Sequence, residues 1–153
     1  AAIRILQSEQ PDLRLVLTGG GLEGLTHVPE NVDVKGLVPF AELLELYRRA
    51  KCLVFPSLYE GFGLPPLEAM ASGCPVASST AGSLPEVCGD AAVMFDPNSP
   101  RAIADGIMEA IDRTAELQAK GFLQVKKFTW ESCAEAHEVA YRYAANCHAQ
   151  PDN

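Results

Sequence analysis

The stretch Phe55 to Gly73, FPSLYEGFGLPPLEAMASG, decides how this chain reads. A short apolar strand, Cys52 to Pro56, runs into a loop rich in glycine and proline. A helix follows over Leu67 to Ser72, with Pro65 and Pro66 suited to its first turn, where a missing amide proton costs nothing. Seven residues separate two glutamates, Glu60 in the loop and Glu68 in the first turn of the helix. Gly61 and Gly63 between them permit a tight path with exposed backbone amides. The helix N-terminus adds unpaired amides and the positive end of a dipole, which suit a phosphate. A carboxylate only accepts hydrogen bonds and takes two at once, so it suits adjacent hydroxyls such as those of a ribose or a hexose. One loop therefore sets two hydroxyl readers beside a phosphate cradle. Taken singly, a glutamate near a helix start is usually a capping or dipole residue, and Gly and Pro in a loop are usually turn chemistry. It is the complete string that points to a nucleotide-sugar.

Outward from this stretch the same alternation continues. Residues 1–9, with Ala2, Ile3, Ile5 and Leu6, read as the remainder of an amphipathic helix broken at Pro11. Leu13 to Thr18 is a buried strand ending in Gly19, Gly20 and Gly21, and Val32 to Val38 is a second strand. Pro39 opens a helix through Phe40, Leu43, Leu44, Leu46 and Tyr47, at spacings suited to one buried face. Pro75 to Ser79 and Ala92 to Phe95 are strands; Ser99 and Pro100 cap a helix bearing Ile103, Ile107 and Ile111. Helices over about 115–127 and from Thr129 or Trp130 to about Ala145 complete the chain. Short apolar strands alternating with helices predict one α/β domain over residues 1–153, a Rossmann-like parallel sheet of about five strands flanked by helices. Ligands of such sheets sit outside the carboxyl ends of the strands, so the loops at 19–22, 36–39, 57–65 and 79–84 should surround the site.

Composition narrows the function. A net charge of −8 excludes a nucleic-acid footprint and a polybasic membrane patch. The five cysteines contain no CxxC pair and the three histidines match no ligand spacing, so buried, reduced thiols are expected and no metal site is. No stretch approaches a membrane span, and the N-terminus lacks a signal-peptide pattern.

PSLYEGFGLPPLEAMASGCPV, with its two glutamates, resembles the signature of retaining glycosyltransferase family 4. The resemblance continues upstream through VDVKGLVPFAELLELYRRAKCLVFPS and downstream through AGSLPEVCGDAAVMFDPNSPRAIADGI, and the terminal FTWESCAEAHEVAYRY is similar to the family's closing helix. It implies the C-terminal, donor-binding half of a GT-B fold, lacking its first strand. It implies that Glu68 binds the ribose hydroxyls and Glu60 the hydroxyls of the transferred sugar. Backbone amides around Gly61, Phe62, Gly63 and Leu64 would meet the sugar and distal phosphate, and Gly36, Leu37 and Val38 the base. Gly82 and Ser83 would line the cleft less directly, as would Gly19 and Gly20, and Glu86 matches a position where capping is an equal reading.

The implied donor is a UDP- or GDP-sugar, with no cofactor, and the implied setting is cytoplasmic, with relatives peripheral to the inner membrane face. The implied partner is an acceptor-binding N-terminal domain. The family's arginine and lysine clamp on the diphosphate has no counterpart here, since Arg4 and Arg14 are not equivalent, so the chain alone is expected to be inactive. Without a central strand, two outcomes are expected: the Leu13–Thr18 strand closes directly onto Cys52–Pro56, or the exposed edges self-associate with another chain. A non-catalytic α/β module binding a nucleotide or a protein is the alternative. A receiver domain or a Walker-type nucleotide site lacks its required acidic cluster or lysine–serine pair.

Overall fold

A computed structural model describes residues 1–22, 24, 25 and 27–148, the side chains of the last two excepted. In chain order the elements are α1 (Ala2–Glu9), β1 (Leu15–Thr18), β2 (Val32–Gly36), α2 (Phe40–Arg49), β3 (Leu53–Phe55) and α3 (Leu64–Ala71). They continue with β4 (Val76–Ser79), α4 (Leu84–Cys88), β5 (Val93–Phe95), α5 (Pro100–Asp112), α6 (Thr114–Val125) and α7 (Trp130–His148). All five expected strands form and every pairing is parallel. They divide into two sheets, a pair β1–β2 and a trio β3–β4–β5.

β4 is the centre of the trio, and all four of its residues are buried. Successive side chains of a strand point to opposite faces, so Val76 and Ala77 enter different cores. Val76 joins Leu67, Met70, Val87 and Cys88 beneath α2, α3 and α4. Ala77 joins Leu6, Val93, Phe95, Ile107 and Leu117 beneath α1, α5 and α6. Helices therefore cover both faces of this sheet, as an all-parallel arrangement requires. Ser99 caps α5 as its position before Pro100 predicts, its Oγ accepting from the Ala102 amide at 3.2 Å.

Three expectations need correction. The Leu13–Thr18 segment does not pair with β3; β1 hydrogen-bonds β2 alone, so β1 and β3 each keep one unpaired edge among the described residues. The β1–β2 ribbon is instead closed on itself, Gly19 N donating to the Gly36 carbonyl at 2.9 Å where its two strands end. Nor is β1 a buried strand. Its residues alternate between half-buried and exposed, and Val16 is exposed, because the ribbon is covered on one face only. Finally, α3 begins at Leu64, so Glu68 lies in its second turn. The helix starts earlier because both prolines fit before the first obligatory amide bond, and Gly63 caps it in a left-handed conformation.

Candidate functional site

The strands end where the expected loops begin. After β3 the chain runs Pro56 to Gly63 and enters α3; after β4 it runs Thr80 to Ser83 and enters α4. These two loops are bound to one another. Ser83 Oγ donates to the carbonyls of Phe62, at 2.6 Å, and Glu60, at 3.2 Å. Ser83 is the residue before α4 and makes no side-chain cap there; its hydroxyl, which a S-x-x-E pattern would spend on the helix, pins the neighbouring loop instead. Gly63 has φ +112°, and a Cβ there would meet Leu84 Cδ2 at 2.8 Å, so the loop's turn into α3 is open to glycine alone.

Glu60 is half-buried, and Ser57 Oγ donates to its Oε1 at 2.7 Å. Ser57 is held in turn, its carbonyl accepting from Ser79 Oγ at 2.6 Å, while Ser79 Oγ accepts from the Ala81 amide at 3.0 Å. Glu68 is half-buried on α3, and the Tyr47 hydroxyl of α2 donates to its Oε2 at 3.2 Å. Glu60 Oε2 and Glu68 Oε1 carry no hydrogen bond from the described residues. The amides of Gly61, Phe62, Gly63 and Leu64 likewise donate to no carbonyl within the described residues. Prolines at the next two positions leave Gly63 and Leu64 as the donors at the mouth of α3.

The structure thus gathers Glu60, Gly61, Phe62, Gly63, Gly82 and Ser83 into one bonded group, with Leu64 and Glu68 on the adjoining helix. Gly19 and Gly36 meet at the carboxyl ends of β1 and β2, with Gly20 exposed beside them. Leu37, strongly exposed, and the half-buried Val38 lead from there into α2. Large apolar side chains stay exposed along these loops: Leu37, Phe40, Leu58, Tyr59, Phe62 and Leu64. Phe62 sets its ring edge-on to Phe128 at 5.7 Å. The two surface hollows around Gln7, Pro11 and Asn31 and around Arg14, Val16 and Asp33 include neither Glu60 nor Glu68. Among the described residues no three His, Cys, Asp or Glu side chains converge, and no helix is long and apolar enough to cross a membrane.

Three residues escaped sequence reasoning: Tyr47, Ser57 and Ser79. Tyr47 passes as one more apolar position of α2. Ser79 closes β4 and Ser57 lies in the loop just after β3, positions at the strands' carboxyl ends that point to a site in parallel sheets and could have marked them.

Parallel strands, helices on both faces of the central sheet and a glutamate-bearing loop at the strands' carboxyl ends define a Rossmann-like α/β domain. Residues 1–121 match the profile described as Glycosyl transferases group 1, and the chain belongs to that family. It is 46% identical over 110 residues to the O-antigen chain mannosyltransferase B of Escherichia coli, covering 70% of this chain and 29% of that protein. It is 38% identical over 124 residues to the serotype-specific mannosyltransferase WbdA of Escherichia coli, covering 74% and 15%. Among solved structures, the sucrose-phosphate synthase of Thermosynechococcus elongatus superposes with a TM-score of 0.76 at 25% identity, over 95% of this chain and 42% of that one. The chain therefore spans less than a third of the curated relatives named here.

Proposed function

We propose that this chain is the donor-binding half of a retaining hexosyltransferase and that it holds a UDP- or GDP-sugar in the loops at its strand ends. One observation carries the reading. Glu60 and Glu68 each have one carboxylate oxygen engaged by a chain hydroxyl and one left over, and they bracket the unbonded amides of residues 61–64. In this reading Glu68 takes the ribose hydroxyls and Glu60 those of the transferred sugar. The amides of Phe62, Gly63 and Leu64 take the distal phosphate, and the Gly36–Val38 segment takes the base. The exposed apolar rim around Leu37, Phe62 and Leu64 supports contact with rings and with a second domain. The relatives' names support a mannosyl group; the same reading has it passed to a glycan or lipid-linked acceptor in the cytoplasm.

The reaction needs no nucleophile from the chain. The bond from the sugar's anomeric carbon to the distal phosphate oxygen breaks. The acceptor hydroxyl bonds that carbon on the same face, and its proton passes to the leaving phosphate. Amides at the α3 mouth stabilise the charge on that phosphate as it departs. The chain carries the hydroxyl readers without the family's cationic clamp, so donor affinity is expected on the order of millimolar. Turnover is expected only when the acceptor-binding half is supplied. The free edges of β1 and β3 are where the same reading puts self-association; light scattering that gives a monomer would remove that part.

Calorimetric titration with UDP, GDP and ADP, on the wild type and on Glu68→Ala, tests the proposal. Base-selective binding lost in Glu68→Ala is expected. Equal binding to both proteins would sink it.

A further inference from the structure

Tyr47 is the one aromatic side chain of α2 that is buried, at 7% exposure, and its ring packs in the core with Leu67, Met70 and Val76. A packed tyrosine has two torsions and both are fixed by its neighbours, so its hydroxyl is a donor on a rigid stem. That hydroxyl donates to Glu68 Oε2 at 3.2 Å. Glu68 stands one turn after Leu64, and helical side chains lean toward the N-terminus, so the carboxylate inclines toward the mouth of α3 where the free amides lie. Left to itself a glutamate has three torsions and samples many of them. Here one oxygen is tethered from the core side and the other carries no bond from the described chain. The helix that carries Tyr47 also begins at Phe40, with only Pro39 between it and Val38, so a single rigid element joins the proposed base segment to the proposed ribose reader.

We propose that Tyr47 is the positioning residue for Glu68: its hydroxyl anchors Oε2 so that Oε1 is presented to the two ribose hydroxyls of the bound nucleotide. The inference rests on the reading of Glu68 as the ribose reader. Burial raises the Tyr47 hydroxyl well above its ordinary value, so it stays a donor throughout the working pH range. The contrary view is that a buried hydroxyl has merely found an acceptor. The two views differ in what happens to recognition of the ribose.

The test uses the 153-residue chain, with NMR titrations of GDP and UDP and of their 2′,3′-dideoxy counterparts. The proteins are the wild type, Tyr47→Phe and Glu68→Gln. Tyr47→Phe keeps the ring in the core, and its amide spectrum and melting temperature report whether the fold is intact. The wild type is expected to prefer the ribose form, and Tyr47→Phe to weaken binding of that form by about tenfold with dideoxy binding unchanged. A wild type without ribose preference would overturn the Glu68 reading and this inference together. A preference that Glu68→Gln loses and Tyr47→Phe keeps in full would overturn the role of Tyr47 alone. A change in Tyr47→Phe equal for ribose and dideoxy forms would also overturn it, as the mark of a purely structural hydroxyl.

Discussion

A Cβ on Gly82 would stand 2.8 Å from the carbonyl oxygen of Glu60 and 3.1 Å from its amide nitrogen. The loop after β4 thus lies directly on the backbone that carries the first glutamate. Gly82 also has φ +58°, a conformation that side chains resist. Gly82→Ala is expected to cost about 1–3 kcal/mol of stability and to push Glu60 out of place. Thermal melting reads the first effect and nucleotide-sugar titration the second. Unchanged binding of the sugar donor would show that the contact has no bearing on Glu60.

The thiols predict a sensitivity to alkali. Burial pushes Cys52 up to about 12, with the neighbouring Cys74 adding to it, and burial pushes Cys74 up to about 11. In the unfolded chain both ionise near pH 9. The unfolded state therefore sheds protons first, and the stability that is complete below pH 9 falls as pH rises toward 11 and 12. Each thiol contributes at most about 1.4 kcal/mol per pH unit. Melting temperatures between pH 8 and pH 11 should drop less steeply in Cys52→Ala than in the wild type. Parallel curves would contradict this.

Burial also sorts the cysteines by reactivity. Cys74 and Cys88 are buried and Cys52 is half-buried, while Cys133 is exposed on α7 beside His137, an exception to the buried thiols expected from the sequence; the side chain of Cys147 lies outside the described residues. Peptide mapping after brief maleimide treatment at pH 7 should find Cys133 labelled well before Cys52, Cys74 and Cys88. Faster labelling of Cys74 than of Cys133 would contradict the placement of both.

The strands were legible because each is a short apolar run closed by a turn residue, and the parallel order followed from their alternation with helices. The division into two sheets was not, because whether β1 also pairs with β3 is settled by packing between segments distant in sequence, which local patterns do not record. The short α4 escaped because Leu84–Cys88 holds one turn of helix, too short for periodicity to reveal. Glu60 and Glu68 stood out through the complete string around them, yet what holds them did not. Tyr47 reads as core and is core, and only the structure shows its hydroxyl on Glu68. Ser83 reads as a residue lining the cleft, and only the structure shows its hydroxyl on the loop of Glu60.

The central claim is that a nucleotide-sugar sits between the two glutamates, and an amide-resolved NMR titration with GDP and UDP, then with a sugar-bearing donor, tests it most directly. The account predicts that the nucleotide moves the amides of Gly61, Phe62, Gly63 and Leu64 together with Leu37 and Val38, and that the sugar adds shifts around Glu60. Shifts confined to other parts of the chain, or none at saturating nucleotide, would contradict it.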